Sequence, residues 1–263
     1  QSMPEDKFHV VRFTGTEGLN TLFSFTIELV SSDLAVDTGA LLSAPATFTI
    51  LREGAPDAVF SGYPARVEQG GQFNGYAYYT VELRPAFWKL TQVVQSAIFL
   101  NQTVEEVTHS LLSGQEFFLI PHEFRLMRSY PSQEFAMQYE ESIYDYILWR
   151  MEEQGAYFYF SPEGDKVIFA DTPKSQDASA ATVFYSPTTG LENNHREEVI
   201  SSFSLSQTPL PRQVVVRSYD WKNPRKLIVG EAEVSATGIG DVYLTHENVE
   251  SDSEAESIAA IRA

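Results

Sequence analysis

The chain has 263 residues, of which 43% are hydrophobic and 13% aromatic, and it contains no cysteine. Its 36 acidic residues outnumber the 18 basic ones, and the resulting net charge of −18 excludes nucleic acid as an expected partner, because phosphate backbones are repelled. The sequence predicts no signal peptide and no stable membrane insertion, since it has neither a basic, apolar leader nor a run of about 18 apolar residues. Its length predicts two or three packed units.

Alternating apolar residues dominate the first part of the chain and predict strands. The predicted strands are 8–13, 22–30, 47–51, 59–67 and 76–83. The last two are expected to form a hairpin across residues 68–75, where glycines and the Asn74-Gly75 pair supply the positive φ angles of the reversal. Five or so antiparallel strands of this kind predict a small β barrel or a sandwich.

Two helices are predicted in the middle of the chain. Thr103 and Glu106 have the spacing of a capping box, and Gly114 is placed for a left-handed C-terminal cap. Ser142 is expected to cap the second helix, which Gly155 ends. Their apolar stripes are Val104, Val107 and Leu111 in the first helix and Tyr144, Ile147, Leu148 and Met151 in the second.

An aromatic strand is predicted directly after the second helix. Residues 157–160 are Tyr, Phe, Tyr and Phe, and a turn at 161–165 leads into a second strand at 166–169. The rings have three interpretations: core packing, carbohydrate stacking or an oligomer interface. Because rings alternate between both faces of a strand, we expect any face left uncovered in the monomer to meet a neighbouring subunit.

Strands return in the last part of the chain. They are predicted at 199–206, 213–219, 226–234 and 242–245, and a helix is predicted at 251–263. The sequence therefore predicts a mainly β fold with some α (α+β), in which two small β barrels flank a mixed α/β unit. The first barrel covers 1–87, the mixed domain with its helix-hairpin covers 88–180, and the second barrel, expected to be truncated, covers 181–263.

Few residues are arranged for chemistry. The five histidines are scattered without metal-ligand spacing, at His9, His109, His122, His195 and His246. The His122-Glu123 neighbours beside Pro121 are interpreted as turn residues rather than as a metal or catalytic site. Gly238-x-Gly240 is likewise typical of a turn between short strands, not of a nucleotide-binding loop.

Two acidic pairs, Glu140/Glu141 and Glu152/Glu153, are candidates for glycoside hydrolysis. Adjacent residues on a helix point about 100° apart, so a neighbouring pair does not place two carboxylates across one bond. We interpret both pairs as solvated helix-end charges, with the first favourable near a helix N-terminus. The sequence thus predicts no enzyme, with no catalytic, cofactor-binding or metal site and no cofactor.

Several segments carry a family resemblance that spans essentially the whole chain. The central one reads QYEES at 138–142 and LWRMEEQGAYFYF at 148–160. The others are FTGTEGL at 13–19 followed by Phe23, LRPAFWKL at 83–90, IFLNQTV at 98–104, YDWKNP at 219–224 and IAAIRA at 258–263. Together they resemble the VgrG family, the spike proteins of bacterial type VI secretion systems, which are similar in fold to phage baseplate hubs. The chain departs from the family pattern at Ile143, where Asp is usual, and at Tyr144.

This resemblance implies a phage tail hub-like, non-enzymatic subunit that forms a homotrimer, docks on the hexameric inner-tube protein and carries effector proteins. It implies a location in the bacterial cytoplasm before firing, followed by secretion through the type VI apparatus without a signal peptide. The family continues into a further barrel and a β-helical needle, so this chain is expected to be the hub portion alone. Since three copies would carry three times the charge of −18, we expect salt to strengthen their assembly.

Three alternatives remain open from the sequence. The same fold could serve as the baseplate hub of a phage or prophage contractile tail, which gene neighbours would distinguish. An envelope protein that binds or processes carbohydrate predicts glycan binding by a monomer. A soluble metal-dependent hydrolase predicts a stoichiometric metal ion.

Overall fold

The computed structural model describes residues 7–52, 56–114, 119–176, 184–186, 199–220, 223–245 and 249–263. The strands in these ranges are β1 (His9–Gly18), β2 (Thr21–Ser31), β3 (Ala46–Ile50), β4 (Ala58–Phe73), β5 (Tyr76–Arg84), β6 (Val94–Gln102), β7 (His122–Arg125), β8 (Gln133–Ser142), β9 (Tyr157–Phe160), β10 (Val167–Ala170), β11 (Phe184–Tyr185), β12 (Val199–Ile200), β13 (Gln213–Tyr219), β14 (Leu227–Glu233) and β15 (Asp241–Thr245). The helices are α1 (Thr38–Ser43), α2 (Val104–Ser113), α3 (Ile143–Glu153) and α4 (Asp252–Arg262), with short 3-10 helices at Ala86–Gln92 and Pro173–Ser175. The predicted mainly β fold with some α is confirmed.

The first five strands form one antiparallel sheet in the order β1-β2-β5-β4-β3. The sheet is curled, so that its two edge strands approach each other: the ring centroids of Phe13 on β1 and Phe48 on β3 are only 4.9 Å apart. Its concave side buries Phe23, Phe25 and Leu83. All five predicted strands are therefore present, and they form a half-barrel.

The β4–β5 hairpin is tighter than predicted. The pairing continues to Phe73↔Tyr76, so most of the predicted 68–75 loop belongs to β4. Only Asn74 and Gly75 form the turn, with φ angles of 51° and 80°. This is the two-residue reversal that an Asn-Gly pair favours, because its twist matches that of the flanking strands.

Two smaller sheets and two helices follow in the chain. Strands β6 and β8 pair as an antiparallel ribbon, while β7, β10 and β9 form a sheet in that order, with β7 parallel and β9 antiparallel to β10. The predicted capping box of α2 is confirmed, since Thr103 and Glu106 bond to each other's backbone N–H. The predicted left-handed cap at Gly114 is wrong, because its φ is −88°. The buried side chains of α2, α3, β9 and β10 share one core.

The residues from 184 onwards belong to a second compact unit, and the earlier described residues to a first. Both sheet systems above therefore lie in the first unit, where Phe160 packs against both core clusters. The division at 87 and 180 predicted from the sequence stays a prediction.

The second unit contains a three-stranded sheet in the order β14-β13-β15, with α4 packed on it. Gly230 on β14 permits this packing, because a Cβ there would lie 2.1 Å from the backbone of Ala255. The predicted strand at 199–206 is wrong beyond Ile200, since residues 201–212 are irregular and mostly exposed. Their alternating pattern finds no strand partner among the described residues.

Within the ranges that the structure describes, no helix has both the length and the apolar character needed to cross a membrane.

Candidate assembly surface

The central family segment begins with a capped helix, as predicted. Ser142 Oγ accepts a hydrogen bond from the Asp145 backbone N–H at 3.0 Å and donates one to the Asp145 carboxylate at 2.7 Å. Gly155, with a φ of 64°, follows the helix and turns the chain towards β9. This is the residue type that a left-handed exit from a helix favours.

The buried face of α3 is rotated slightly from the predicted stripe. Ile147 and Met151 are buried as expected, but Tyr146 is also buried, whereas Tyr144 and Leu148 are only partly covered. The ring of Tyr146 stacks on Phe99 of β6, with centroids 5.7 Å apart. The helix therefore packs against the inner face of the β6–β8 ribbon as well as against the main core.

Strand β9 divides its rings between a buried and a half-buried face. Phe158 is buried against Phe87 and its cross-strand partner Phe169. Its backbone N–H and C=O both bond to Asn20, at 2.8 and 2.9 Å, in the turn between β1 and β2. This turn residue thus extends the β9 ladder and fixes the aromatic strand against the first sheet.

The outer rings of β9 have partners within the monomer. The hydroxyl of Tyr157 accepts a hydrogen bond from Gln176 at 2.7 Å, and that of Tyr159 accepts one from Arg125 at 3.3 Å. Both tyrosines are half-buried. The monomer thus supplies polar contacts to this face, which was expected to meet a neighbouring subunit only if the monomer left it uncovered.

The two acidic pairs lie at the ends of α3. Glu140 and Glu141 are on β8 just before the helix, and Glu141 accepts a hydrogen bond from the indole N–H of Trp149 at 2.9 Å. Glu153 forms an ion pair with Arg150 inside the last turn, next to the exposed Glu152. The structure places both pairs at helix ends, where they were expected.

Two of the three described histidines form a close pair. His109 Nδ1 and His122 Nε2 are 2.8 Å apart, and His122 Nδ1 bonds to the Ile120 carbonyl. Glu123 instead contacts Lys166 and Arg125, whose hydrogen bonds lower the pKa of its carboxyl group. Because adjacent strand residues point to opposite faces, His122 and Glu123 are not brought together.

The other candidate residues are dispersed. His9 is exposed on β1, and His195 and His246 lie outside the described residues. Gly240 has a φ of 75° in the loop between β14 and β15, which also contains Gly238. Among the residues that the structure describes, no three His, Asp or Glu side chains are grouped as a metal site would need.

Asp171 is a buried group that the sequence reasoning missed. Its carboxylate accepts hydrogen bonds from the backbone N–H groups of Met127 and Arg128 and from the Tyr130 hydroxyl. Burial by itself raises the pKa of Asp171, but these three donors and the Arg128 charge outweigh it and lower the pKa. Burial and the neighbouring carboxylate raise the pKa of Tyr130. The available signal was a lone Asp directly after the buried strand β10.

The β6–β8 ribbon exposes a largely apolar face. Ile98 lies directly opposite Met137, and Leu100 lies opposite Phe135. The large outward side chains of this face are Val94, Ile98 and Leu100 on β6 and Phe135, Met137 and Tyr139 on β8, and they are between 46% and 64% exposed. The exposed Ser96 lies between Val94 and Ile98 on the same face. We call the six large residues the ribbon face. Their period-two spacing was a readable signal, since residues i and i+2 of a strand share a face.

The opposite side of the ribbon is covered. Phe99 packs on Tyr146, and Gln138 is fully buried, accepting a hydrogen bond from Gln95 and donating one to the Glu141 carbonyl. The inner side of the ribbon is therefore packed against the rest of the first unit. The ribbon face, by contrast, is left open to solvent in the monomer.

Comparison with known families covers nearly the entire chain, ribbon included. Residues 16–263 match the family described as phage tail baseplate hub (GPD). The chain belongs to this hub family. The VgrG resemblance predicted from the central segment is confirmed by curated relatives.

Those relatives include type VI secretion system spike proteins. The hub chain is 31% identical to VgrG1c of Pseudomonas aeruginosa over 219 residues, covering 81% of this chain and 29% of that protein. It is 27% identical to VgrG3 of Vibrio cholerae over 232 residues, covering 84% of this chain and 22% of that protein. The hub chain thus spans under a third of the length of these relatives.

Solved structures share the fold. The Escherichia coli c3393 protein, a type VI secretion component similar to the phage T4 tail proteins gp27 and gp5, matches with a TM-score of 0.61 and 20% identity, covering 93% of this chain and 66% of that one. A tail protein of Neisseria meningitidis matches with a TM-score of 0.56 and 10% identity, covering 98% of this chain and 72% of that one. The predicted phage tail hub-like fold is confirmed.

Proposed function

We propose that the chain is the hub portion of a type VI secretion spike and assembles as a homotrimer. The observation that carries this proposal is the match of residues 16–263 to the hub family together with 31% identity to a type VI spike protein. In the proposed trimer, each subunit contributes β-rich units to a ring that rests on the hexameric inner-tube protein. The function is structural, and no catalytic step is assigned to any residue.

Delivery of other proteins is a further part of the proposal. A chain of the Francisella PdpA-VgrG complex matches this fold with a TM-score of 0.51 and 12% identity, covering 91% of this chain and 36% of that one. That likeness shows the fold alone, but a related fold in a protein complex supports the idea that this hub also carries partner proteins. We place the hub in the bacterial cytoplasm before firing and outside the cell afterwards.

The test of the proposed assembly is the mass of the protein in solution. Multi-angle light scattering over a concentration series should reveal a species of three times 29.5 kDa. Mixing that species with the purified inner-tube protein from the same gene cluster should produce a larger complex. A chain that stays monomeric at every concentration contradicts the proposed trimer.

A phage or prophage tail hub is the second candidate function. It is favoured by the family description itself and by a prophage tail protein of Shewanella oneidensis, which matches with a TM-score of 0.54 and 10% identity, covering 95% of this chain and 76% of that one. Genes for a type VI sheath and membrane complex nearby favour the secretion system. Genes for capsid and tail-fibre proteins favour the phage.

A further inference from the structure

We infer that the ribbon face is the surface at which copies of this chain contact one another, an inference that rests on the self-assembly proposed above. The face consists of Val94, Ile98, Leu100, Phe135, Met137 and Tyr139. Its occupant is a second copy of the chain. Three properties of the ribbon support this choice: its area, its lack of charge and its open strand edges.

The area is sufficient for a specific contact. Six large side chains that are each about half exposed offer on the order of 600 Å² of mostly apolar surface. A patch of this size is at the upper limit for a soluble monomer, and it approaches the roughly 800 Å² that each partner buries in a standard interface. An apolar centre with polar residues around it is also the usual anatomy of an interface.

The absence of charge selects the partner. The chain carries a net charge of −18, so two copies repel each other wherever their acidic surfaces meet. No acidic or basic residue belongs to the ribbon face, and the nearest acids on β8 border it, at Glu134 before Phe135 and at Glu140 after Tyr139. A basic partner would gain more by binding the acidic surface, whereas a like-charged copy is best met at a neutral face.

The backbone of the ribbon also remains available. Among the described residues, β6 and β8 pair only with each other, so each has one edge without a strand neighbour. Open edges beside an apolar face are aggregation-prone unless another chain covers them. A second copy that packs on the ribbon face covers the apolar side chains beside these edges, and it does so without disturbing the anchored inner side of the ribbon.

A double substitution tests the inference directly. Ile98→Thr with Phe135→Thr removes two apolar side chains, one from each strand, and keeps a residue type that favours strands. Because central apolar anchors dominate binding energy, the dissociation constant for self-association should rise about 100-fold or more, measured by sedimentation velocity. The melting temperature of the dilute monomer should match that of the parent chain, because both side chains project into solvent.

The matched control variant loses two apolar side chains at sites away from the ribbon. Leu51→Thr with Ile239→Thr removes two side chains that are 81% and 79% exposed outside the strands. This variant should associate within about twofold of the parent chain, as expected for exposed positions outside an interface.

A thiol-protection experiment gives a second readout. The chain has no cysteine, so Met137→Cys and Leu51→Cys each introduce a single thiol. When the protein concentration is raised through the association range, the reaction of the Met137→Cys thiol with a disulfide reagent should slow at least about tenfold, whereas that of Leu51→Cys should not change.

The outcomes separate the two proposals. If the parent chain associates and the ribbon variant associates equally well, the ribbon face is overturned and the hub proposal stands. If the parent chain remains a monomer at all concentrations, the proposed self-assembly fails, and the ribbon inference fails with it. Equal protection of both thiols overturns the ribbon face by itself.

Discussion

The α3–β9 segment and the β6–β8 ribbon are both rich in large apolar side chains, but they use them in opposite ways. In the first, Tyr146 and Phe158 are 1% and 2% exposed. In the second, the ribbon face is more than 40% exposed at every position, although its six side chains are large and mostly apolar. This difference shows that an apolar sequence pattern predicts a surface that needs to be covered. The pattern does not specify whether the same chain or another molecule covers it.

The two regions differ in burial because different numbers of neighbouring strands and helices cover them. Strand β9 has β10 beside it and the 3-10 helix over its inner ring, and the Asn20 turn closes its free edge. The ribbon is covered by helices on its inner side, where Tyr146 of α3 stacks on Phe99. Covering one face is enough to hold a ribbon in place, so the second face is free for assembly.

The sharpest test of this contrast is one substitution made in both regions. Phe158→Ala should lower the free energy of unfolding by about 3–5 kcal/mol, because it leaves a cavity between Phe87 and Phe169. Phe135→Ala in the ribbon face should cost about 1 kcal/mol or less. Urea denaturation at a dilution where both proteins are monomeric measures the two values. Equal losses would mean that the ribbon face is buried in the monomer.

A buried charge near the same core gives the next largest effect. Asp171→Asn should lower the free energy of unfolding by about 2 kcal/mol at neutral pH, because the charged acceptor of three hydrogen bonds is lost. The folded state lowers the pKa of Asp171, so its stabilisation is complete above the ordinary value of 3.8 and is lost as the pH falls below it.

The stabilities of the parent chain and the Asp171→Asn variant should therefore become more similar at acidic pH. The difference in unfolding free energy between parent chain and Asp171→Asn should shrink as the pH is lowered through 3.8, while the exposed Glu163→Gln control shows little difference at any pH. A difference that grows in acid would reverse the assigned direction of the pKa shift.

The junction between the two regions gives a smaller effect. Ser142 is the last residue of the ribbon strand β8 and the N-cap of α3. Ser142→Ala should cost about 1 kcal/mol, because an N-terminal N–H of the helix loses its acceptor. Ser142→Thr retains the hydroxyl and should recover most of this loss in the same denaturation experiment. No recovery would show that the cap hydrogen bond is not the cause.

Salt should have the smallest effect, and it separates apolar from electrostatic assembly. Raising the ionic strength should tighten self-association by about 1 kcal/mol or less, because it screens the repulsion between chains of charge −18 while leaving the apolar contact intact. Light scattering at low and high salt measures this. Weaker association at high salt would indicate that ion pairs, and not the ribbon face, hold the copies together.

Local features were predicted well from the sequence. The caps at Thr103 and Ser142, the Asn74-Gly75 turn and the five strands of the first sheet are all present. Each depends on a few neighbouring residues, whose backbone preferences and hydrogen bonds act over short distances. The left-handed form expected at Gly114 is absent, because glycine permits positive φ angles without requiring them.

Long-range features were predicted less well. The sequence reasoning did not identify the strand at 133–142, the Asn20 link to Phe158 or the Asp171 hydrogen bonds. The strand predicted over 199–206 ends at Ile200, although its apolar alternation continues. In the first three cases the deciding partner lies far away in the chain, and alternation alone does not specify it. Residues 201–206 have no strand partner among the described residues.

The sequence by itself determined the family, the mainly β character and the positions of the capped helices, because these are recorded in motifs and in local backbone preference. Only the tertiary structure decided which apolar faces are buried. Burial depends on whether another element reaches a given surface, and such contacts join residues distant in the chain. That is why Phe158 and Phe135, both in aromatic strand segments flanking the same helix, have opposite environments in the folded protein.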